Sequence, residues 1–374
     1  MSVNPANPPR PALVATDEDG FAYITTAYRW PVIVTKIIDD IYKTRHSLDL
    51  SEVVKLREGK EIIDSLGELK YQMQRKRPLT PIEDDGEPDI DTWTYVFNTY
   101  FKDDNWYSAA WLFMECYLYR RVRSILARTK QWNDYDPFLR QKEDTFRASI
   151  AAIVEIAKRI DELVDIPKSG AHDGIIDAGR IIFHELVQIS LWGNATDLSL
   201  LNNLSNDDIK KLQNVGAKRL EELEKNILVN DLEKAWNYIS KCHTTPKDFN
   251  WILQTLQSED FFSSTSEMEK SFLKKLATRL QSYVSNSQLI LTSDYFWTSP
   301  YAYWHLAEKA PDLYVDLCTS NLLIFKGDLN YRKLVYDCKW KINTQFEEAI
   351  GPLAGMKGSP PVLALRTCKA DVDT

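Results

Sequence analysis

From Leu198 onward the chain alternates short apolar runs with helical patterns, and this alternation restricts the fold more than any other feature. The runs are NILV (Asn226 to Val229), QLILT (Gln288 to Thr292), LLIF (Leu322 to Phe325) and VLAL (Val362 to Leu365). Each is short, bounded by polar residues and without the alternation of a half-exposed strand, so it reads as a strand covered on both faces. Such strands separated by helices imply a mostly parallel sheet flanked by helices. From about Ala27 to Trp192, apolar residues recur instead at three- and four-residue spacing, clearest in WPVIVTKIIDDIY, NWYSAAWLFMECYLYRRVRSIL, EDTFRASIAAIVEIAKRIDELV and DAGRIIFHELVQISLW. The expected class is therefore α/β, with a helical N-terminal domain packed on the sheet. The 374 residues exceed what one core usually organises. The expected division is a flexible proline-containing tail over 1–19, a helical domain over 20–198 and an α/β domain over 199–374. A loop rich in proline and acid, Arg77 to Asp91, separates the first helices from the rest.

In open α/β sheets ligands sit at the carboxyl ends of strands, which directs attention to FKGDLNYRKL (Phe325 to Leu334) after LLIF. Gly327 permits a tight turn, Asp328 can cap, and a helix is expected to start near Leu329. A helix N-terminus flanked by Lys326 and Arg332 suits an anion. RTCK (Arg366 to Lys369) follows VLAL in the same relation to its own strand. Two such clusters on adjacent strand ends would form a phosphate pocket, although two ordinary turns with exposed Lys and Arg explain the composition equally well.

The 46 basic and 54 acidic side chains leave a formal charge of -8, so no general attraction to nucleic acid or anionic membrane is expected and phosphate binding must be local. No apolar stretch is long enough to span a bilayer. Five cysteines, Cys116, Cys242, Cys318, Cys338 and Cys368, are widely spaced with no CxxC pair, which fits reduced thiols. MSVNPANPPRPALVATDEDG has no targeting pattern, so a cytoplasmic location is expected, with the nucleus as a second compartment.

FKGDLNYRKL, RTCKAD, LWGNATDLSLL (Leu191 to Leu201), WLFMECYLYRR (Trp111 to Arg121) and APDLY (Ala310 to Tyr314) together resemble the damage-control phosphatases, and within them the third subfamily, marked by RTxK and also described as acidic-residue methyltransferase-like. The resemblance runs from about Gly20 onward. It implies metal-dependent hydrolysis of sugar phosphates such as fructose 1-phosphate and fructose 6-phosphate, with Mn²⁺, Co²⁺ or Ni²⁺ as cofactor. It also implies substrate contacts from Asp328, Leu329, Asn330, Tyr331 and Arg332 and from Lys369, to which the charge argument adds Lys326. A carboxyl methyltransferase is a side reading, opposed by the lack of a glycine-rich cofactor loop after any strand.

The chain departs from the family where the metal ligands belong. No DNxGxE occurs, and TPKDF (Thr245 to Phe249) is preceded by KCHT, so His243 stands where the resemblance implies an aspartate. The gap, near residues 242–244, corresponds to about one or two βα units of ~30 residues. No metal ligand is therefore assigned, metal binding is doubtful, and the expected protein is either a phosphatase inactive in this form or a non-catalytic binder of phosphorylated ligands or of a partner protein. Other candidates are weaker. His184-Glu185 lacks the second histidine of HExxH, replaced by Gln188. Asn194 and Asp197 read as a helix stop and a cap, or as support near the pocket. Glu115 and Tyr119-Arg120-Arg121 read as a solvated helix face. DYFWTSPYAYW (Asp294 to Trp304) reads as a loop packed between domains, with Asp294 a spare metal ligand.

Overall fold

The computed structural model describes residues 4–151, 153–154, 157–158, 246–262, 265–355 and 360–366. Helix α1 (Trp30–His46) packs beside α2 (Val53–Gln74). Val34, Ile37 and Ile41 meet Ile62, Leu66, Leu69 and Met73, all buried, at the three- and four-residue spacing that lines one face of a helix. Pro31 lies in the first turn of α1, where a missing N–H costs nothing, and Lys43, Arg45 and His46 in its last turn complement the helix dipole.

After α3 (Ile90–Val96), helix α4 (Trp111–Ala127) is buried on nearly every side, with Trp111, Phe113, Met114, Tyr117 and Leu118 inside the core. Its Arg120 is also buried. The guanidinium donates to both carboxylate oxygens of Asp89 and, through Nη1 and Nη2 at 2.5 and 3.0 Å, to Asp85. Thus the acidic loop expected as a plain separator supplies the counter-charges of the central helix, and the Arg120 expected on a solvated face is interior.

Helices α5 (Leu139–Ala148), α6 (Pro246–Gln257) and α7 (Glu267–Ser285) belong to a second cluster built on Phe249, Leu253, Leu256, Leu273 and Leu276. A capping box opens α7: Ser266 Oγ accepts from Glu269 N–H, while the Glu269 carboxylate accepts from Ser266 N–H. No helix among the described residues is long and apolar enough to cross a membrane.

Beyond α8 (Pro311–Cys318), strand β1 (Leu323–Lys326) leads into α9 (Asp328–Leu334), then α10 (Phe346–Ile350) and strand β2 (Val362–Leu365). The strands pair in parallel from Leu323↔Val362 to Lys326↔Leu365. LLIF and VLAL therefore form the expected neighbouring parallel strands. NILV lies outside the described residues. QLILT is not a strand: Ile290 faces solvent, while Leu289 and Leu291 rest on the second cluster. A run of three apolar residues cannot by its pattern distinguish a strand from a packed connector.

One core runs from α1, α2 and α4 into the carboxyl-terminal elements through Tyr303, Leu334, Val335 and Leu353, so the helical and strand-bearing parts share their interior. The expected flexible tail is docked over residues 11–15. Pro11 and Leu13 oxygens accept from Lys339 and Trp111 N–H at 2.9 Å, and Leu13 and Ala15 N–H donate to Asp337 and Tyr107 oxygens. The reason is local: Trp111 opens α4 and its N–H has no intrahelical acceptor, so an extended segment satisfies it.

Candidate functional site

The parallel register brings the carboxyl ends of β1 and β2 side by side. Gly327, at φ 106°, makes the turn that a side chain would strain, and its N–H donates to Leu365 O at 2.9 Å. Gly327 itself takes the cap position; Asp328 is the first residue of α9 and makes no cap bond, and its Oδ1 is buried without a hydrogen-bond partner. Asn330 folds back on the turn, its Nδ2 donating to Lys326 O at 2.7 Å while its Oδ1 accepts from Tyr303 Oη at 2.5 Å. Lys326 is exposed and Leu329 half-buried. The Arg366 guanidinium lies over the Tyr331 ring, 4.2 Å from its centroid, so the segment after β2 touches the helix after β1. Lys369 lies outside the described residues.

Arg332, expected to contact substrate, lies in the interior. It is 1% exposed, with Nε and Nη2 donating to the two oxygens of Asp337 at 2.8 Å each, Nη1 donating to Glu115, and the ring of Trp111 centred 3.9 Å away. Burial opposes its charge, yet Asp337 and Glu115 hold it protonated well above the ordinary range. As placed, its charge is neutralised by the protein. Glu115, expected on a solvated face, is one of its two carboxylate partners.

Lys333 is also enclosed, its Nζ donating to Trp297 O and Ser299 O at 2.8 Å, and burial lowers its pKa. These bonds fasten α9 to the aromatic stretch Asp294 to Trp304, whose Phe296, Tyr301 and Tyr303 are buried. Behind α9 the backbone turns through Tyr336 and Asp337 at φ 63° and 52°, left-handed geometry that is uncommon for non-glycine residues. Tyr336 Oη lies 2.6 Å from His305 Nε2, and Asp337 N–H donates to Arg332 O at 2.8 Å, so neighbours on both sides maintain the turn.

The described residues do not fit a metal centre. Among them no three His, Cys, Asp or Glu side chains converge, and Asp294 Oδ1 caps Phe296 N–H at 2.7 Å in an exposed position. A hard divalent ion requires several oxygen donors in fixed geometry, so no step is assigned to one here. His243, Asn194, Asp197 and the His184-Glu185 pair lie outside the described residues. Cys116, Cys318 and Cys338 carry free thiols. Sequence reasoning missed Asp337 and Trp111 as partners of Arg332; the only local signal was an acid five residues after it.

The family model of the Damage-control phosphatase ARMT1-like domain matches residues 25–245 and 243–373, two segments that meet where the sequence lacks DNxGxE. Among curated proteins named Damage-control phosphatase ARMT1, that of Mus musculus is 29% identical over 418 aligned positions, covering 96% of this chain and 91% of its own. That of Homo sapiens is 26% identical over 436 positions, covering 100% and 92%, and that of Danio rerio is 26% identical, covering 97% and 90%. The 436 aligned positions exceed the 374 residues of this chain by 62. On the strength of the two matched segments, which together take in all but the ends of the sequence, the chain belongs to the ARMT1-like damage-control phosphatase family.

Proposed function

We propose that the chain binds sugar phosphates such as fructose 1-phosphate and fructose 6-phosphate at the carboxyl ends of β1 and β2, and that in its present form it does not hydrolyse them. Lys326, Asp328, Leu329, Asn330, Tyr331, Arg332 and Lys369 are the proposed contacts, Arg332 only when its enclosure opens. The observation that carries this reading is the side-by-side emergence of two basic segments, joined by Arg366 over Tyr331. Lys326 and Lys369 would neutralise phosphate oxygens, while Asn330 and Asp328 would bond sugar hydroxyls or fix the turn. The protein is proposed to act in the cytoplasm, with the nucleus as a second compartment, on small molecules rather than nucleic acid or membrane.

In a full family member Mn²⁺, Co²⁺ or Ni²⁺ would supply Lewis acidity and align water. The absence of DNxGxE, the 62 surplus aligned positions and the break in the family match near residue 243 favour loss of that function. The test is calorimetric binding of fructose 1-phosphate alongside phosphate release with Mn²⁺ or Co²⁺. Binding is expected, with no release above a chelator control. Inserting a relative's DNxGxE segment between Lys241 and Thr244 should produce chelator-sensitive release. Such release by the unmodified chain would overturn the reading.

A further inference from the structure

Leu13 occupies a particular place: its N–H donates to Asp337 O at 3.3 Å and its C=O accepts from Trp111 N–H at 2.9 Å. Asp337 holds the Arg332 guanidinium by two bonds, and Trp111 lies against it. One peptide segment thus fastens two walls of the Arg332 enclosure from outside. Its neighbours repeat the grip, Pro11 on Lys339 and Ala15 on Tyr107, and the Arg10 guanidinium lies 5.6 Å from the Trp340 ring centroid. Leu13 and Val14 are only half-buried and Pro11 is exposed, so the segment is a strap over the core. Beneath it, Tyr336 and Asp337 have the left-handed backbone that neighbours must maintain. Ala15, 2% exposed, anchors one end of the segment in the core and Leu13 packs against it, while Pro11 is exposed, so opening of this short segment is local and precedes global unfolding.

We propose that residues 11–15 act as a latch: docked, they keep Arg332 closed between Asp337, Glu115 and Trp111; undocked, they free the guanidinium for an anion entering at the end of β1. The last step rests on the binding reading above. The latch itself does not.

Leu13→Pro removes the donor to Asp337, and phenylglyoxal labelling followed by mass spectrometry reads each arginine separately. Labelling of Arg332 should rise about fivefold, the factor for one lost backbone bond, while Arg120, enclosed by Asp85 and Asp89, stays unlabelled as an internal control. Unchanged Arg332, or Arg332 and Arg120 rising together, would overturn the latch. Inorganic phosphate should slow Arg332 labelling in the variant. Increased labelling without that protection keeps the latch and refutes the anion step. Hydrogen exchange of the unmodified chain provides a second measurement that needs no variant. Trp111 and Lys339 amides should exchange together and faster than those of Ile37 and Ile41 in α1. Exchange at the common global rate would overturn the proposal.

Discussion

Replacing Arg332 by Met keeps much of the side-chain volume but removes three charge-assisted hydrogen bonds and the contact with Trp111. The larger consequence is what remains. Asp337, with a side chain 2% exposed, becomes a buried carboxylate without its counter-charge, and Glu115, 18% exposed, loses its partner too. Breaking one side of a buried ion pair costs about 3 to 5 kcal/mol, and the lower half of that range applies if water reaches Glu115. Urea unfolding followed by circular dichroism, for wild type and Arg332→Met at pH 7, measures the difference. A loss under about 1 kcal/mol would refute the closed-pair reasoning.

Two further perturbations test the packing around this cluster. Gly351 has φ 53°, and an added Cβ would lie 2.4 Å from the Trp304 indole, itself held by Nε1 donating to Ala349 O. Gly351→Ala should therefore lower stability by about 2 to 4 kcal/mol, against a neutral or stabilising Gly67→Ala, where a Cβ meets nothing within 4 Å. Equal melting temperatures for the two variants would contradict the geometry. Burial lowers His305 to about 4 from 6.5, so the neutral ring is favoured in the fold. Its contribution is complete above pH 6.5 and is lost as pH falls toward 4, reaching about 2 kcal/mol at pH 5. The stability gap between wild type and His305→Gln should shrink by that amount between pH 7 and pH 5; a constant gap would exclude His305 as the source.

The elements legible in the sequence were those with strong local rules. Three- and four-residue spacing revealed α1 and α4, and the apolar run followed by glycine revealed β1, its turn and α9 within one residue of the expected start. VLAL could be paired with LLIF because both are followed by basic segments. What could not be read depends on distance along the chain. Glu115 lies 217 residues from Arg332, so no local pattern distinguishes its buried role from that of a solvated helix acid. Arg120 meets Asp85 and Asp89 across 35 and 31 residues, and the proline-rich segment looked unstructured because its acceptors and donors belong to Lys339, Asp337 and Trp111. QLILT failed for the opposite reason: it is short enough to satisfy two descriptions at once.

The bond between Leu13 and Asp337 also orders events during synthesis. At about 5 to 20 residues per second, Asp337 leaves the ribosome's catalytic centre roughly 15 to 65 s after Leu13. For that interval α1, α2 and α4 can assemble, but Trp111 has neither its outer strap fixed from both sides nor the Arg332 it later stacks on. The nascent helical part therefore keeps Trp111 without these partners for far longer than helices take to form, until residues 11–13 meet residues 337–339.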